Sequence, residues 1–174
     1  LNVIYNGPFM QSCFYETMGL VEDNKVYFWK VKAYDISGNS IENTGGYYSF
    51  IINTQNDAPV ASTLLEPINE SIQTDLTPGF FWAESYDPDP MDHISYTMHW
   101  WPVGMLPVIY SADTDTNSFT PVDDLSDNSR FAWMVTAKDI QGSQSNSDSS
   151  YFYTDEFPEA PSNFSTIIPE NNAE

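Results

Sequence analysis

Hydrophobic and polar residues alternate along several short stretches of the chain. In RFAWMVTAK, Phe131, Trp133 and Val135 fall on one face, whereas Met134 and Lys138 fall on the other. A period of two residues is typical of a half-buried β-strand. No window of a dozen residues carries an apolar stripe with a period of 3.6 residues, so the sequence predicts essentially no helix.

Runs rich in Asp, Pro, Gly and Asn, such as DPDPMD and DIQGSQSNSD, separate the alternating stretches. Short strands at this spacing predict an all-β fold, an antiparallel seven-stranded β-sandwich. We place strand A near 60–66, B near 77–86, C near 93–101, C′ near 106–112, E near 116–121, F near 129–138 and G near 148–155.

The chain also repeats itself. EDNKVYFWKVKAYDISGNS matches SDNSRFAWMVTAKDIQGSQ with an offset of 104, which pairs Trp29 with Trp133, and beyond the glycine the offset falls to 102. A repeated period indicates tandem structural units. We expect residues 1–55 to be the C-terminal half of one repeat, 56–156 a complete repeat and 157–174 the start of a further one.

The first residues, LNVIYNG, match LPVIYSA, the stretch that we place at strand C′. Residues 1–55 should therefore hold only strands C′, E, F and G. Half a sandwich exposes a strand edge and an apolar face, here carrying Tyr27, Trp29, Val31 and Phe50. We expect that the chain is a stretch of a longer protein, or that a neighbouring chain supplies the missing strands.

Residues 58–155 resemble a bacterial-type fibronectin type III domain. The resemblance depends on the segment APVASTLLEPIN, Trp82 in strand B, DPDPMDHISYTMHW, and an F strand of the form aromatic-x-Trp-x-Val-x-Ala-x-Asp-x-x-Gly. It implies fibronectin type III-like, immunoglobulin-like β-sandwiches in tandem. The competing cadherin-like interpretation depends on NTQNDAPV, which looks like a cadherin linker.

The resemblance also implies a tyrosine whose hydroxyl fixes the corner between strands E and F, six residues after a leucine-like position. Val21 and Tyr27 have this spacing in the first repeat, whereas Leu125 leads to Phe131 in the second. Because Phe131 has no hydroxyl, we expect the second corner to be held by packing alone.

Charge excludes one class of partner. The 25 acidic residues against five basic ones give a formal net charge of −20, which disfavours nucleic acid because little basic charge offsets its phosphates. The hydrophobic fraction of 41% is enough for packed cores. No stretch approaches the roughly 18 apolar residues of a membrane span.

No catalytic motif emerges from the sequence. Adjacent carboxylates such as Asp123 and Asp124 are expected by chance in so acidic a chain. The two histidines, His93 and His99, are predicted to lie on the surface, and no cysteine or third histidine completes a zinc site. We therefore expect a non-enzymatic chain without a cofactor.

Calcium is the one metal left open. Asp87, Asp89 and Asp92 in DPDPMD are candidate ligands, because clustered carboxylates at a domain joint suit a cation that takes six to eight oxygen atoms. The prolines after Asp87 and Asp89 suit a rigid turn without metal equally well. The sequence does not decide between the two.

A binding surface is also predicted. If the alternating rings face the core, Trp101, Tyr151 and Tyr153 should face outward on the C–F–G sheet, near His99 and Met134. Exposed rings can stack on sugars or pack against a neighbouring domain or subunit. The alternative is that these rings pack against loops of the same domain or against the adjoining repeat.

These observations predict a structural or adhesive repeat segment of a large extracellular or cell-surface protein, serving as spacer, stalk or filament. Its partners would be adjacent repeats or neighbouring copies. An accessory module of a secreted polysaccharide-degrading enzyme, which would bind carbohydrate, and a calcium-stiffened cadherin-like adhesin remain alternatives.

Overall fold

A computed structural model describes residues 21–104, 108–157 and 159–163, together with 7, 10, 12, 14–16 and 19. The described residues form strands and no helix, which confirms the all-β prediction. Residues 1–6 of the opening LNVIYNG, residues 105–107 at the start of the predicted strand C′ and residues 164–174 lie outside the described residues. None of the described segments is a helix long and apolar enough to cross a membrane.

Among the described residues, four strands precede the joint, which we define as residues 53–58, and nine follow it. The strands are β1 (Lys25–Trp29), β2 (Lys32–Tyr34), β3 (Ser40–Glu42), β4 (Tyr48–Ile52), β5 (Leu64–Glu66), β6 (Ser71–Gln73), β7 (Phe80–Trp82), β8 (Ser95–Pro102), β9 (Tyr110–Thr114), β10 (Ser118–Phe119), β11 (Ser129–Lys138), β12 (Gln144–Asn146) and β13 (Ser150–Thr154). We refer to residues 21–52 as the first region and to residues 59–157 as the second region.

The second region contains two sheets. One has the order β10-β7-β5, and the other has the order β6-β13-β11-β8-β9 with β12 paired to β11. The predicted strand F coincides with β11, whereas strand B is reduced to the three residues of β7. Aromatic residues between the sheets form the core, because Phe80 and Trp82 of β7 contact Trp133, Phe152 and Tyr96 at centroid distances of 5.1–5.6 Å.

The prediction of seven antiparallel strands differs from the structure in two respects. Nine strands follow the joint in the part of the chain that the structure describes, and β6 pairs with β13 in parallel. Pro67 explains one of the two additional strands, β6, because proline has no amide hydrogen to continue a ladder, and the predicted strand A stops just before it. The chain turns through Ile68, whose carbonyl accepts from Ser71, and re-enters as β6 in the other sheet. The other additional strand, β12, is the short partner of β11 that precedes the predicted strand G.

The first region repeats the hydrogen-bonded ladders of the second. Tyr27 pairs with Phe50 in β1 and β4, and Phe131 pairs with Phe152 in β11 and β13. Both ring pairs are stacked, with centroids 5.7 and 5.6 Å apart. The β2–β3 hairpin likewise has the register of the β11–β12 hairpin at the sequence offset of 104.

The turns that close these hairpins are built alike. The carboxylate of Asp35 accepts from the amide of Asn39 at 2.8 Å, and that of Asp139 accepts from the amide of Ser143 at 2.8 Å. The backbone amides of Asp35 and Asp139 in turn donate to the carbonyls of Asn39 and Ser143. The repeat seen in the sequence is therefore present at the level of single hydrogen bonds.

The corner before β11 is held differently from the prediction. The hydroxyl of Tyr27 accepts from the amide of Glu22 at 2.7 Å, as expected for the first region. In the second region, the hydroxyl of Thr154 donates to the carbonyl of Ser126 at 2.6 Å and accepts from the amide of Ser129 at 3.3 Å. Packing alone was the wrong expectation, because a threonine on β13 replaces the missing tyrosine hydroxyl.

Candidate cation site and exposed aromatic face

An acidic loop between β7 and β8 carries the three candidate calcium ligands. The amide of Asp89 donates to Oδ1 of Asp87 at 2.8 Å, and the amide of Asp92 donates to the carbonyl of Asp89 at 3.4 Å. Asp89 is only 2% exposed, whereas Asp87 and Asp92 are half-buried. The tight turn therefore folds all three carboxylates of DPDPMD inward, and all three line one recess.

A fourth carboxylate, Asp139, reaches this loop from the end of β11. The antiparallel pairing of β8 with β11 places Ser95 opposite Lys138, so the loop before β8 and the turn after β11 meet at one end of the sheet. Oδ1 of Asp139 accepts from the amides of Gly142 and Ser143 at 2.5 and 2.8 Å, which fixes the side chain within its own turn.

Asp87, Asp92 and Asp139 bring one carboxylate oxygen each to within 4.8 Å of one another. Burial raises the pKa of Asp87, and the neighbouring charges of Asp89, Asp92 and Asp139 act in the same direction. Burial also raises the pKa of Asp139, but the hydrogen bonds that it accepts outweigh this effect and leave its pKa lowered. The cluster therefore brings several carboxyl groups close together, and the charges of the others disfavour ionisation of Asp87.

The joint between the two regions is hydrogen-bonded to the same carboxylates. Nδ2 of Asn56 donates to Oδ2 of Asp139 at 2.7 Å and to the hydroxyl of Ser143 at 2.7 Å. The amide of Asp57 donates to Oδ2 of Asp89 at 2.7 Å. The acidic cluster thus lies where the second region meets the joint.

Three of these four carboxylates were predicted from the sequence, and Asp139 was missed. The sequence does single out Asp139, because it directly follows the alternating pattern of strand F and has a repeat counterpart in Asp35. Only the pairing of β8 with β11 reveals that it joins the DPDPMD loop. No motif within either segment gives that distance.

The predicted aromatic surface lies on the outer face of the larger sheet. Ala132 of β11 has Trp101 as its partner on one side and Tyr151 on the other, and Arg130 is paired with Tyr153. Ala132 is fully buried, so the two larger rings cover it. Trp101 and Tyr151 are half-buried, and Tyr153 is 39% exposed.

Arg130 occupies the space above both tyrosines. Its guanidinium lies 4.5 Å from the ring centroid of Tyr151 and 5.6 Å from that of Tyr153, and it also forms an ion pair with Glu70. Cation–π contacts of this kind use the ring faces that a sugar would need. The geometry therefore favours packing within the chain over an open stacking platform.

The two histidines differ from each other. His93 is exposed, as predicted. His99 is half-buried rather than on the surface, and its Nε2 lies 3.2 Å from the hydroxyl of Thr136 on the neighbouring strand. Burial lowers the pKa of His99, and the charge of Asp113 opposes that shift.

No protein-family model and no curated protein matches the chain. Among solved structures it is similar to the crystal structure of the rat CD45 extracellular region, domains d3-d4, with 12% sequence identity and a TM-score of 0.37. The match covers 86% of this chain and 81% of that one.

Proposed function

We propose that this chain is a non-catalytic structural segment of a large extracellular or cell-surface protein, in which fibronectin type III-like β-sandwiches repeat in tandem as a spacer, stalk or filament. Its partners are adjacent repeats of the same chain or neighbouring copies in an assembly. The observation that carries the proposal is the hydrogen-bonded attachment of the joint, which recurs after the second region.

In the first half of the attachment, an aspartate side chain accepts a hydrogen bond from a backbone amide just after the last strand of the unit. Oδ1 of Asp23 accepts from the amide of Thr54 at 2.6 Å. At the equivalent positions, Oδ1 of Asp127 accepts from the amide of Glu156 at 2.9 Å. The Thr54 hydrogen bond lowers the pKa of Asp23, so this contact is made by the ionised carboxylate at neutral pH.

The second half is an asparagine next to each aspartate. Nδ2 of Asn24 donates to the carboxylate of Asp57 at 2.8 Å, and Nδ2 of Asn128 donates to that of Glu159 at 3.1 Å. Both asparagines have a left-handed backbone, with φ of 54° and 53°. Asparagine tolerates this conformation better than most residues, which explains its presence in both turns.

A joint held at both ends limits the angle between consecutive units, and a fixed angle is what a spacer requires. Asn56 and Asp57 attach the joint to the second region through Asp139 and Asp89, while Asn24 attaches it to the first. The high negative charge agrees with this function, since like charges disfavour collapse of an array onto itself.

The distance distribution between the two regions tests this proposal. Spin labels at Ser37→Cys and Val122→Cys, in a Cys13→Ser background, report on the joint because both positions are exposed and lie on opposite sides of it. We expect one narrow distribution. Removing Asn24 and Asn56 together by alanine substitution should broaden it.

Asn53→Ala is the matched control, because Asn53 lies in the same joint and makes no hydrogen bond within the described residues. It should leave the distribution unchanged. A broad distribution in the parent chain would overturn the spacer proposal, because the joint would then be flexible in spite of its hydrogen bonds.

A further inference from the structure

Three carboxylate oxygens at the joint are buried and accept no hydrogen bond from the described residues. They are Oδ2 of Asp87, Oδ1 of Asp89 and Oδ2 of Asp92. Asp89 is the strongest case, because its side chain is 98% buried and only its other oxygen is bonded, to the amide of Asp57. An ionised oxygen that is buried without a donor carries a large free-energy cost.

The charges that act on Asp87 are the negative charges of Asp89, Asp92 and Asp139. The two ion pairs within the described residues, Lys30 with Glu42 and Arg130 with Glu70, lie elsewhere. Lys138 precedes Asp139 in the chain but is exposed and forms no ion pair in this part of the structure. A cation bound from solution would both supply the missing partner and relieve the mutual repulsion of the carboxylates.

The spacing of the oxygens suits calcium. Ca²⁺ binds oxygen at about 2.3–2.6 Å, so two oxygens on opposite sides of the ion are roughly 5 Å apart. The oxygens of Asp87, Asp92 and Asp139 all lie within 4.8 Å of one another, a group that does not include Asp89. Asp89 lines one recess with Asp87 and Asp92 and presents its unpaired oxygen beside them. Carboxylate oxygen is the ligand type that this hard cation prefers.

We propose that Asp87, Asp89, Asp92 and Asp139 bind one calcium ion that fastens the joint to the second region. The stiffening of the joint depends on the spacer function proposed above, whereas the calcium site itself does not. Oδ2 of Asp89 accepts a hydrogen bond from the amide of Asp57, and Oδ2 of Asp139 accepts one from Nδ2 of Asn56. An ion that fixes these two carboxylates also fixes the residues hydrogen-bonded to them.

Isothermal titration calorimetry and thermal unfolding of the full 174-residue chain, at constant ionic strength, test the site. We expect one calcium ion per chain with a dissociation constant at or below about 1 mM. At 10 mM Ca²⁺ the unfolding temperature should rise by about 5 °C or more, because the ion binds the folded state alone. Equal concentrations of Mg²⁺ should have a smaller effect, because Mg²⁺ demands shorter bonds and gives up its water reluctantly.

Asp89→Asn and Asp92→Asn should each weaken calcium binding by about tenfold or more, because ligand charge sets the affinity of such sites. The double variant Asp123→Asn/Asp124→Asn removes two exposed carboxylates near the opposite end of β11 and should bind calcium within about twofold of the parent. Asp92 is only half-buried, so its variant carries the test if Asp89→Asn fails to fold.

A parent chain that gives neither binding heat nor a shift in unfolding temperature would overturn the site. Variants at Asp89 and Asp92 that bind calcium as tightly as the parent would also overturn it. So would Mg²⁺ and Ca²⁺ shifts in unfolding temperature that are equal to each other and the same in the parent and both variants, because that result would show general charge screening. Calcium binding together with a broad distance distribution would support the site and overturn the spacer function. A narrow distance distribution without calcium binding would support the spacer function and overturn the calcium site.

Discussion

The first and second regions have the same ladders and turns but very different burial. Trp29 and Val31 are 47% and 52% exposed, whereas their counterparts Trp133 and Val135 are fully buried. Strand β11 has β8 beside it and β7 facing it, and no described strand of the first region takes either place. The comparison shows that register and turn geometry are set within a short stretch of chain, whereas burial requires strands that are distant in sequence.

Trp133→Ala and Trp29→Ala should give the largest difference between the regions. Trp133 is fully buried against Phe80, so its loss should reduce the free energy of unfolding of the second region by roughly 3–5 kcal/mol. Trp29 contacts Tyr48 in a tilted ring pair with centroids 5.3 Å apart but is half-exposed, so its loss should cost about 1 kcal/mol. Native-state hydrogen exchange of the amides in β1 and β11 measures both effects in one chain.

Equal losses at the two positions would show that another part of the protein, outside the described residues, buries Trp29. That result would contradict the expected exposure of this face. A full second set of strands around β1 would also make the repeat alignment wrong.

Exchanging the corner hydrogen bonds between the regions should give the next largest effect. Thr154→Val removes the bonds to Ser126 and Ser129 and should reduce the free energy of unfolding by roughly 1–2 kcal/mol. Phe131→Tyr in that background supplies the hydroxyl that Tyr27 uses in the first region and should restore part of the loss. Urea unfolding of the two variants measures the restoration.

If the double variant is no more stable than Thr154→Val alone, the two corners are not interchangeable. Tyr27→Phe provides the reciprocal control, because it deletes the single bond from Glu22 and should destabilise the first region alone. Hydrogen exchange in β1 and β11 separates the two regions in this measurement.

Gly38→Ala and Gly142→Ala should destabilise their regions equally. Both glycines have positive φ, of 86° and 102°, which alanine adopts at a cost of about 1 kcal/mol. An added Cβ meets nothing within 4 Å at Gly38, and at Gly142 it meets only Cε of Lys138 at 3.9 Å. A much larger loss at Gly142, measured by hydrogen exchange in β11 and β12, would show that the turn depends on tertiary contacts.

The sequence was informative wherever structure depends on neighbours in the chain. Alternation predicted the bounds of β8 and β11 closely. The offset of 104 predicted that the turns after β2 and β11 are equivalent, and they share the same individual hydrogen bonds. It failed at Pro67, where the strand is divided between two sheets, and at Thr154, where a hydroxyl on another strand replaces that of a tyrosine. Both failures involve partners far away in the sequence.

The candidate site follows the same division. Asp87, Asp89 and Asp92 are close in the sequence and could be grouped from DPDPMD alone. Asp139 lies 47 positions beyond Asp92 and joins them only through the pairing of β8 with β11. Alternation predicted that these aromatic rings lie on the sheet face away from the core, but the guanidinium of Arg130 above them was not predictable from spacing.

The smallest expected effect concerns His99, which β8 holds against Thr136 of β11, a contact with no counterpart among the described strands of the first region. Burial lowers the pKa of His99 below 6.5, so the unfolded chain binds a proton more readily than the folded chain does. The resulting stability is fully present above the unfolded-state pKa of 6.5 and is lost as the pH falls below it and through the lower pKa of the folded state. His99→Gln should reduce this loss between pH 7.5 and 5.5, measured as the free energy of unfolding in urea, whereas the exposed His93→Gln should behave as the parent. The same pH slope in the parent and in His99→Gln would show that β8 does not desolvate this ring in solution.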